Sequence, residues 1–145
     1  MRWSDCAVQD LKKYAGLKAS LNNIEERIEV LEMKFTGVKG SKTDKIPVQG
    51  GGSRWEDYML DNIVERERLQ LLHTADTRLL AIIDRGLSSL NKTERLVLER
   101  FFIHRQRDHV EGLIAELNLE QSQIYRIKDQ ALYKFTVNMY GIEEY

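Results

Sequence analysis

Cysteine and proline are nearly absent from this chain of 145 residues, which contains one of each. The lone cysteine, Cys6, excludes an intramolecular disulfide framework, and no histidines cluster near it to form a metal site or activate a nucleophile. The scarcity of proline, together with few strand-like alternations, predicts an all-α fold. Long apolar runs and the apolar core of a signal peptide are also lacking, so we expect a cytoplasmic protein without membrane contact.

An excess of positive charge is lacking too, because the net charge is -1. DNA affinity rests largely on Lys and Arg that neutralise phosphates, so a nucleic-acid partner would require a local basic region. Eight basic residues between Ser88 and Phe135 oppose seven acidic ones, a net charge of +1. We therefore expect modest DNA affinity from this region alone, with dimerisation or a polymerase partner adding to it.

Two long helical segments are predicted in the N-terminal half. The second runs from about Arg54 to Arg85, with Leu69, Leu72, Leu79 and Ile83 at helical spacing. Its apolar side is extended more loosely by Trp55, Met59 and Ile63. The first has a heptad seam with spacings of three and four residues, which predicts an antiparallel hairpin or coiled coil. The seam alone leaves open whether its partner is the second helix or another copy of the chain. Its residues are Leu17, Leu21, Ile24, Ile28, Leu31 and Phe35.

The segment between these helices, residues 36–53, is rich in glycine and lysine and contains the single proline. Its composition predicts a flexible connecting loop, and we interpret its lysines as solvated surface. Residues 37–42 lack the order of glycine, lysine and Ser or Thr found in a phosphate-binding loop. Nucleotide binding is therefore not predicted.

Residues 87–135 have the pattern of a helix-turn-helix. Asn91 followed by Glu94 predicts a capping box at one helix start, and residues 117–120 predict a turn around Asn118 and a cap at Glu120. Asparagine tolerates the left-handed conformation that such a turn requires. Units of this kind commonly place their second helix in the major groove of DNA.

The same segment resembles a known family at a defined set of positions. These are Thr93-Glu94-Arg95, Val97, Leu98 and Phe102, then Leu113, Leu117 and Leu119, then Ile124-Tyr125-Arg126 with Ala131-Leu132 and Phe135. The pattern resembles region four of bacterial sigma factors, and with the helical N-terminal half it is similar to the ArpU-like late transcription regulators of phages. The resemblance covers about a third of the chain and implies sequence-specific DNA binding by a phage or prophage regulator.

Three positions depart from the family pattern. Asn118 stands where the turn usually has glycine, and Glu120 stands where Ser or Thr usually caps the recognition helix. Ile114 takes the place of a small alanine that lets the two helices approach. Its bulk predicts either a shifted register, with Ala115 at the contact, or a wider crossing of the helices.

The candidate DNA contacts follow from the geometry of the last helix. With a start near Gln121 and core positions at Ile124 and Ile127, the remaining side chains of the first turn and a half face outward. Glutamine suits adenine and arginine suits guanine, which makes these side chains candidates for base edges. They are Gln121, Ser122, Gln123, Tyr125 and Arg126. Candidates for phosphate contacts, which orient a protein without reading sequence, are Arg105, Arg107 and Lys128.

The sequence thus predicts a hairpin or coiled-coil arm over residues 1–86 and a sigma region-four-like helix-turn-helix domain over residues 87–145. The recognition helix is expected at about 121–135. Double-stranded DNA is the predicted partner, with RNA polymerase and a second copy, joined through the N-terminal helices, as further candidates. We predict no catalysis, no metal site and no cofactor, because the histidines are scattered and the carboxylates fit solvated helix faces.

Two other functions are compatible with the same predicted helical hairpin and helix-turn-helix. Small terminase subunits of phages also join a helix-turn-helix to an oligomerising coiled coil, and ring-shaped assembly would favour that function. A helical interaction protein that does not bind DNA would use the hairpin as its active part, and it predicts no salt-sensitive affinity for DNA.

Overall fold

The computed structural model describes residues 2–40 and 51–142, with side-chain surroundings for residues 2–37 and 54–142. The described residues form helices and no strand, which confirms the all-α prediction with a long N-terminal helix pair. The elements are α1 (Trp3–Gly40), α2 (Gly51–Ser88), α3 (Lys92–Leu98), a π-helical segment (Glu99–Ile103), α4 (His109–Leu117) and α5 (Gln121–Tyr140).

The connector between the long helices is shorter than the sequence predicts. Because α1 continues to Gly40 and α2 begins at Gly51, the loop prediction is wrong for residues 36–40 and 51–53. A glycine costs a helix only about 1 kcal/mol, and each residue added to an existing helix brings one further hydrogen bond. The rest of the predicted loop, residues 41–50, lies outside the described residues.

The chain divides into two compact units. One comprises residues 19–77, and the other comprises residues 1–18 together with residues 78–145. We call them the hairpin unit and the helix-turn-helix unit. Both long helices contribute residues to both units, so the first turns of α1 and the last turns of α2 belong with the helix-turn-helix.

In the hairpin unit, α1 packs against α2 of the same chain. The predicted α1 seam is confirmed, because its six residues are buried or half-buried while the charged residues that flank it are exposed. Asn62 Nδ2 donates to the Leu31 carbonyl at 2.9 Å, and the Arg66 guanidinium lies 4.7 Å from the centre of the Phe35 ring. His73 Nε2 also lies 2.8 Å from Glu25 Oε1. Because the α2 partner falls from residue 73 to residue 62 as the α1 residue rises from 25 to 31, the two helices run antiparallel, as the hairpin prediction requires.

The α2 seam agrees with the prediction at Trp55, Met59, Leu69, Leu79 and Ile83, which are buried or half-buried, and differs from it at Leu72. Leu69 lies on it as expected, but Leu72 is 38% exposed and lies beside it. The seam passes instead through polar side chains that pair with α1. The buried or half-buried residues at alternating spacings of four and three are Trp55, Met59, Asn62, Arg66, Leu69, His73 and Asp76.

The helix-turn-helix unit encloses a core formed by α3, the π-helical segment, α4 and α5. Its buried members are Val97, Phe101, Leu113 and Ile124, and half-buried apolar side chains pack around them. The first turns of α1 contact both α2 and α5 within this unit. The Tyr14 hydroxyl donates to Asp84 at 2.5 Å, and the Tyr140 hydroxyl donates to Asp10.

None of the helices in residues 2–40 and 51–142 combines the length and the apolar character needed to cross a membrane.

Candidate nucleic-acid interface

The helix that supports the interface begins with a reciprocal cap. Asn91 Oδ1 accepts a hydrogen bond from the Glu94 N–H at 2.8 Å, and Glu94 Oε1 accepts one from the Asn91 N–H at 3.2 Å. The capping box predicted from these two residues is therefore confirmed. It fixes the start of α3 at Lys92.

The turn between α4 and α5 depends on one left-handed residue. Asn118 has a φ of 55°, and it is the only residue besides glycine with a positive φ in the described chain. Its N–H donates to the Ile114 carbonyl at 3.0 Å, which closes the end of α4. The predicted left-handed turn at Asn118 is confirmed, and α5 begins at Gln121, as expected.

The first turns of α5 present a polar surface to solvent. All five candidate base-edge residues are exposed, whereas Ile124 is fully buried and Ile127 is half-buried. The burial of these two isoleucines confirms the orientation predicted for the helix. We call the exposed set the α5 polar face, and it consists of Gln121, Ser122, Gln123, Tyr125 and Arg126.

Gln123 has a second role that its position in the sequence could have indicated. Its Oε1 accepts a hydrogen bond from the Glu120 N–H at 3.0 Å. A Gln three residues after a capping residue commonly makes this bond. The carbonyl end of Gln123 therefore holds the helix start, while its amide nitrogen stays available as a donor.

Tyr125 is held in place by an aromatic group beneath it. Its ring meets the buried Phe101 ring edge to face, with centroids 5.7 Å apart, and Phe101 meets His109 in the same way at 4.7 Å. Edge-to-face pairs stabilise a fixed ring orientation. The Tyr125 ring is therefore partly exposed on the α5 polar face but supported by the core.

Lys128 is less available than a typical phosphate contact. It is half-buried, its Nζ lies 2.9 Å from Asp129 Oδ1, and the same atom lies 5.7 Å from the Tyr125 ring centre and 5.9 Å from that of Phe101. These contacts direct the ammonium group toward the aromatic rings. The sequence gives no direct signal of this, since Phe101 is 27 residues away.

Ion pairs within the unit neutralise many of its charges. Arg100 binds Glu116 at 2.9 Å, Lys134 binds Glu94 at 2.8 Å, and Arg95 binds Glu99 at 3.2 Å. In the described part of the chain, the exposed side chains of Arg105, Arg107 and Arg126 make no ion pair. Three exposed arginines without an ion pair therefore lie in the loop before α4 and on the α5 polar face.

Ile114 packs against the core of the helix-turn-helix, whereas Ala115 is exposed. The shifted register, with Ala115 between the helices, is therefore wrong. The branched Ile114 side chain fills the space between α4 and the core because it removes more apolar surface from water than alanine would.

Within the described ranges, no group of three or more His, Cys, Asp or Glu side chains is arranged to hold a metal ion. Comparison of the chain with protein-family models, curated proteins and solved structures gives no match.

Proposed function

We propose that this protein is a DNA-binding transcription regulator of phage or prophage type that acts in the cytoplasm, without catalysis. The observation that carries the proposal is the α5 polar face, a continuous exposed surface on a helix whose opposite side is anchored in a core. In a helix-turn-helix, such a helix inserts its N-terminal residues into the major groove. RNA polymerase is a further proposed partner, as the resemblance to sigma region four implies.

The residue types of the α5 polar face support base recognition. Arg126 has the planar donor fork that pairs with the O6 and N7 atoms of guanine, and Gln121 has the donor and acceptor pair that adenine requires. The Tyr125 ring offers an apolar surface for a thymine methyl group, and its contact with Phe101 limits its motion. A side chain that is ordered before binding loses less entropy in the complex.

The distribution of charge supports contact with phosphates. Arg105 and Arg107 are exposed in the loop before α4, and a cation in that place orients a domain on DNA without reading its sequence. Lys128 is the weaker candidate, because binding a phosphate would require its ammonium to leave Asp129. We therefore propose Arg105 and Arg107 as the main phosphate contacts.

The first experiment identifies a DNA sequence that the chain binds and measures the affinity of the chain for it. Duplexes are selected from a random library with the full chain, and the selected duplex and a scrambled one are then titrated at several salt concentrations. Arg126→Ala is expected to weaken the selected duplex by about 1–3 kcal/mol and the scrambled one far less. Arg27→Ala is the matched control, because it removes one positive charge from an exposed site in the hairpin unit.

A second set of variants separates the phosphate contacts, which orient the domain, from the base contacts, which read the DNA sequence. Arg105→Ala and Arg107→Ala are each expected to weaken both duplexes equally and to lower the slope of log affinity against log salt by about 1. Equal losses from Arg27→Ala and Arg126→Ala would contradict base reading by α5.

Two outcomes would point to the other functions. No salt-sensitive affinity for any duplex would favour a helical interaction protein and reject the proposal. DNA binding by a ring-shaped assembly, seen by electron microscopy or light scattering, would favour a small terminase subunit over a regulator.

A further inference from the structure

Apolar side chains lie exposed in a row along α2 in the hairpin unit. Leu60 is 58% exposed, Val64 is 56% exposed and Leu71 is 73% exposed, and Ala75 follows as another exposed residue. Successive spacings of four, seven and four residues place them on one side of the helix. We call these four residues the outer stripe.

The outer stripe is separate from the seam that joins α2 to α1. The seam residue Leu69 is 3% exposed and lies two positions, about 200°, from Leu71 around the helix. Single exposed apolar residues are common on protein surfaces, but several of them on one side of a helix mark a candidate contact with another molecule.

We infer that the outer stripe binds a second copy of this chain in an antiparallel arrangement, with a twofold axis between Glu67 and Arg68. In this register Val64 lies against the partner's Leu71, and Leu60 lies against the partner's Ala75. Each contact occurs twice, as a twofold interface requires. A surface that matches itself in this way closes at two copies and forms neither a ring nor a filament.

Charge complementarity selects the antiparallel direction. Glu67 and Arg68 interrupt the apolar row at its midpoint, and the twofold axis places each against the opposite charge of the other copy. A parallel, in-register pair would instead place Glu67 beside Glu67 and Arg68 beside Arg68. Like charges that face each other across an interface are unfavourable, so they exclude that register.

Both charged groups are available for this contact. The exposed Glu67 carboxylate makes no ion pair within the described residues. Arg68 binds Glu65 of its own helix at 2.7 Å, but a guanidinium has five N–H donors and can bind a second carboxylate. The existing pair holds the Arg68 side chain along the helix surface.

The first test is the mass of the full chain in solution, measured by sedimentation velocity at increasing concentration. We expect a reversible change from the 17.0 kDa chain to twice that mass. Leu71→Glu places a charge in the apolar row and should weaken the dimer at least about tenfold. Met33→Glu is the matched control, because Met33 is similarly exposed, at 71%, but lies on α1, and it should leave the dimer intact.

The second test determines the register. In a Cys6→Ser background, a mixture of Val64→Cys and Leu71→Cys chains should form an intermolecular disulfide on oxidation, whereas either variant alone should not. A parallel pair would give the opposite result. Glu67→Arg should weaken the dimer, and Glu67→Arg combined with Arg68→Glu should restore it.

Circular dichroism of every variant shows whether the helices are retained. A wild-type chain that stays monomeric at all concentrations would overturn the inference. So would a dimer that Leu71→Glu leaves unchanged, or one in which each single-cysteine variant links to itself. DNA binding is measured separately, so loss of the dimer and loss of the proposed DNA function can be distinguished.

Discussion

Lys134 Nζ lies 2.8 Å from Glu94 Oε2, an ion pair that joins α5 to the first turn of α3. Glu94 is buried, and its other carboxylate oxygen accepts the Asn91 N–H. Burial by itself raises the pKa of Glu94, but the hydrogen bonds from Lys134 and from the Asn91 backbone outweigh it and hold the pKa below its ordinary value. One carboxylate therefore caps a helix and connects it to the proposed recognition helix.

The lowered pKa of Glu94 predicts a loss of stability in acid. Because the unfolded chain takes up this proton at the higher pH, the contribution is present above the ordinary value of 4.5 and is lost as pH falls below it. Glu94→Gln should reduce this acid sensitivity. The measurement is urea unfolding on either side of that pH. A wild-type chain and a Glu94→Gln chain with the same pH dependence would contradict the prediction.

Lys134→Ala should destabilise the chain by about 1–3 kcal/mol at neutral pH, because it leaves a buried carboxylate with one fewer partner. Lys92→Ala is the control, since Lys92 is an exposed lysine on the neighbouring helix α3. Thermal unfolding of the two variants makes the comparison. Equal changes in both would show that the Glu94 pair adds nothing to stability.

Gly86 is expected to tolerate no larger side chain. A Cβ atom at this position would lie 2.8 Å from Cε2 of Phe135, a fully buried ring. Gly86→Ala should therefore cost about 1–3 kcal/mol through overpacking. Gly112→Ala is the matched control, because nothing lies within 4 Å of its Cβ position and it is within α4. That variant should stabilise the protein by about 0.5–1 kcal/mol, and denaturant unfolding would detect the opposite signs.

Because the backbone at Asn118 is left-handed, we expect glycine and alanine substitutions at this position to differ in their effect on stability. Asn118→Ala should destabilise the chain by roughly 1–2 kcal/mol, because alanine keeps the Cβ atom that strains this conformation but lacks the polar side chain that lets asparagine tolerate it, whereas Asn118→Gly should be nearly neutral. Asn138→Ala, at an exposed position within α5, controls for loss of the amide. An alanine at 118 that is as stable as glycine would show that the turn is not required in this form.

The raised pKa of Tyr14 predicts that the stability of the protein also depends on pH in alkaline solution. Burial and the hydrogen bond to Asp84 raise the pKa of Tyr14 to about 12. Since the unfolded chain loses this proton first, the contribution is present below pH 10.0 and is lost as pH rises toward about 12. Tyr14→Phe should remove about 1 kcal/mol below pH 10.0 and flatten the alkaline decline. Tyr58→Phe, at an exposed tyrosine, should change neither quantity when unfolding is measured across this range.

The α5 polar face could be placed from the sequence because its signals are local. Asn91 and Glu94 bond to each other across one helical turn, and a three-residue turn with one left-handed residue, Asn118, separates α4 from α5. No distant contact is therefore needed to position these features. Whether the exposed face binds DNA stays a prediction, since exposure and residue type permit that contact without requiring it.

The local sequence pattern determined the all-α fold class of this protein and the ends of its short helices, because helix periodicity and capping act over a few residues. Tertiary structure decided what the side chains contact. Asn62 and Arg66 occupy seam positions that an apolar pattern skips, and they fit there because Leu31 and Phe35 of the opposite helix offer a carbonyl and a ring. Lys128 turns toward Phe101 for the same reason. A buried polar group requires a specific partner, and that partner is brought near only when distant parts of the chain pack together.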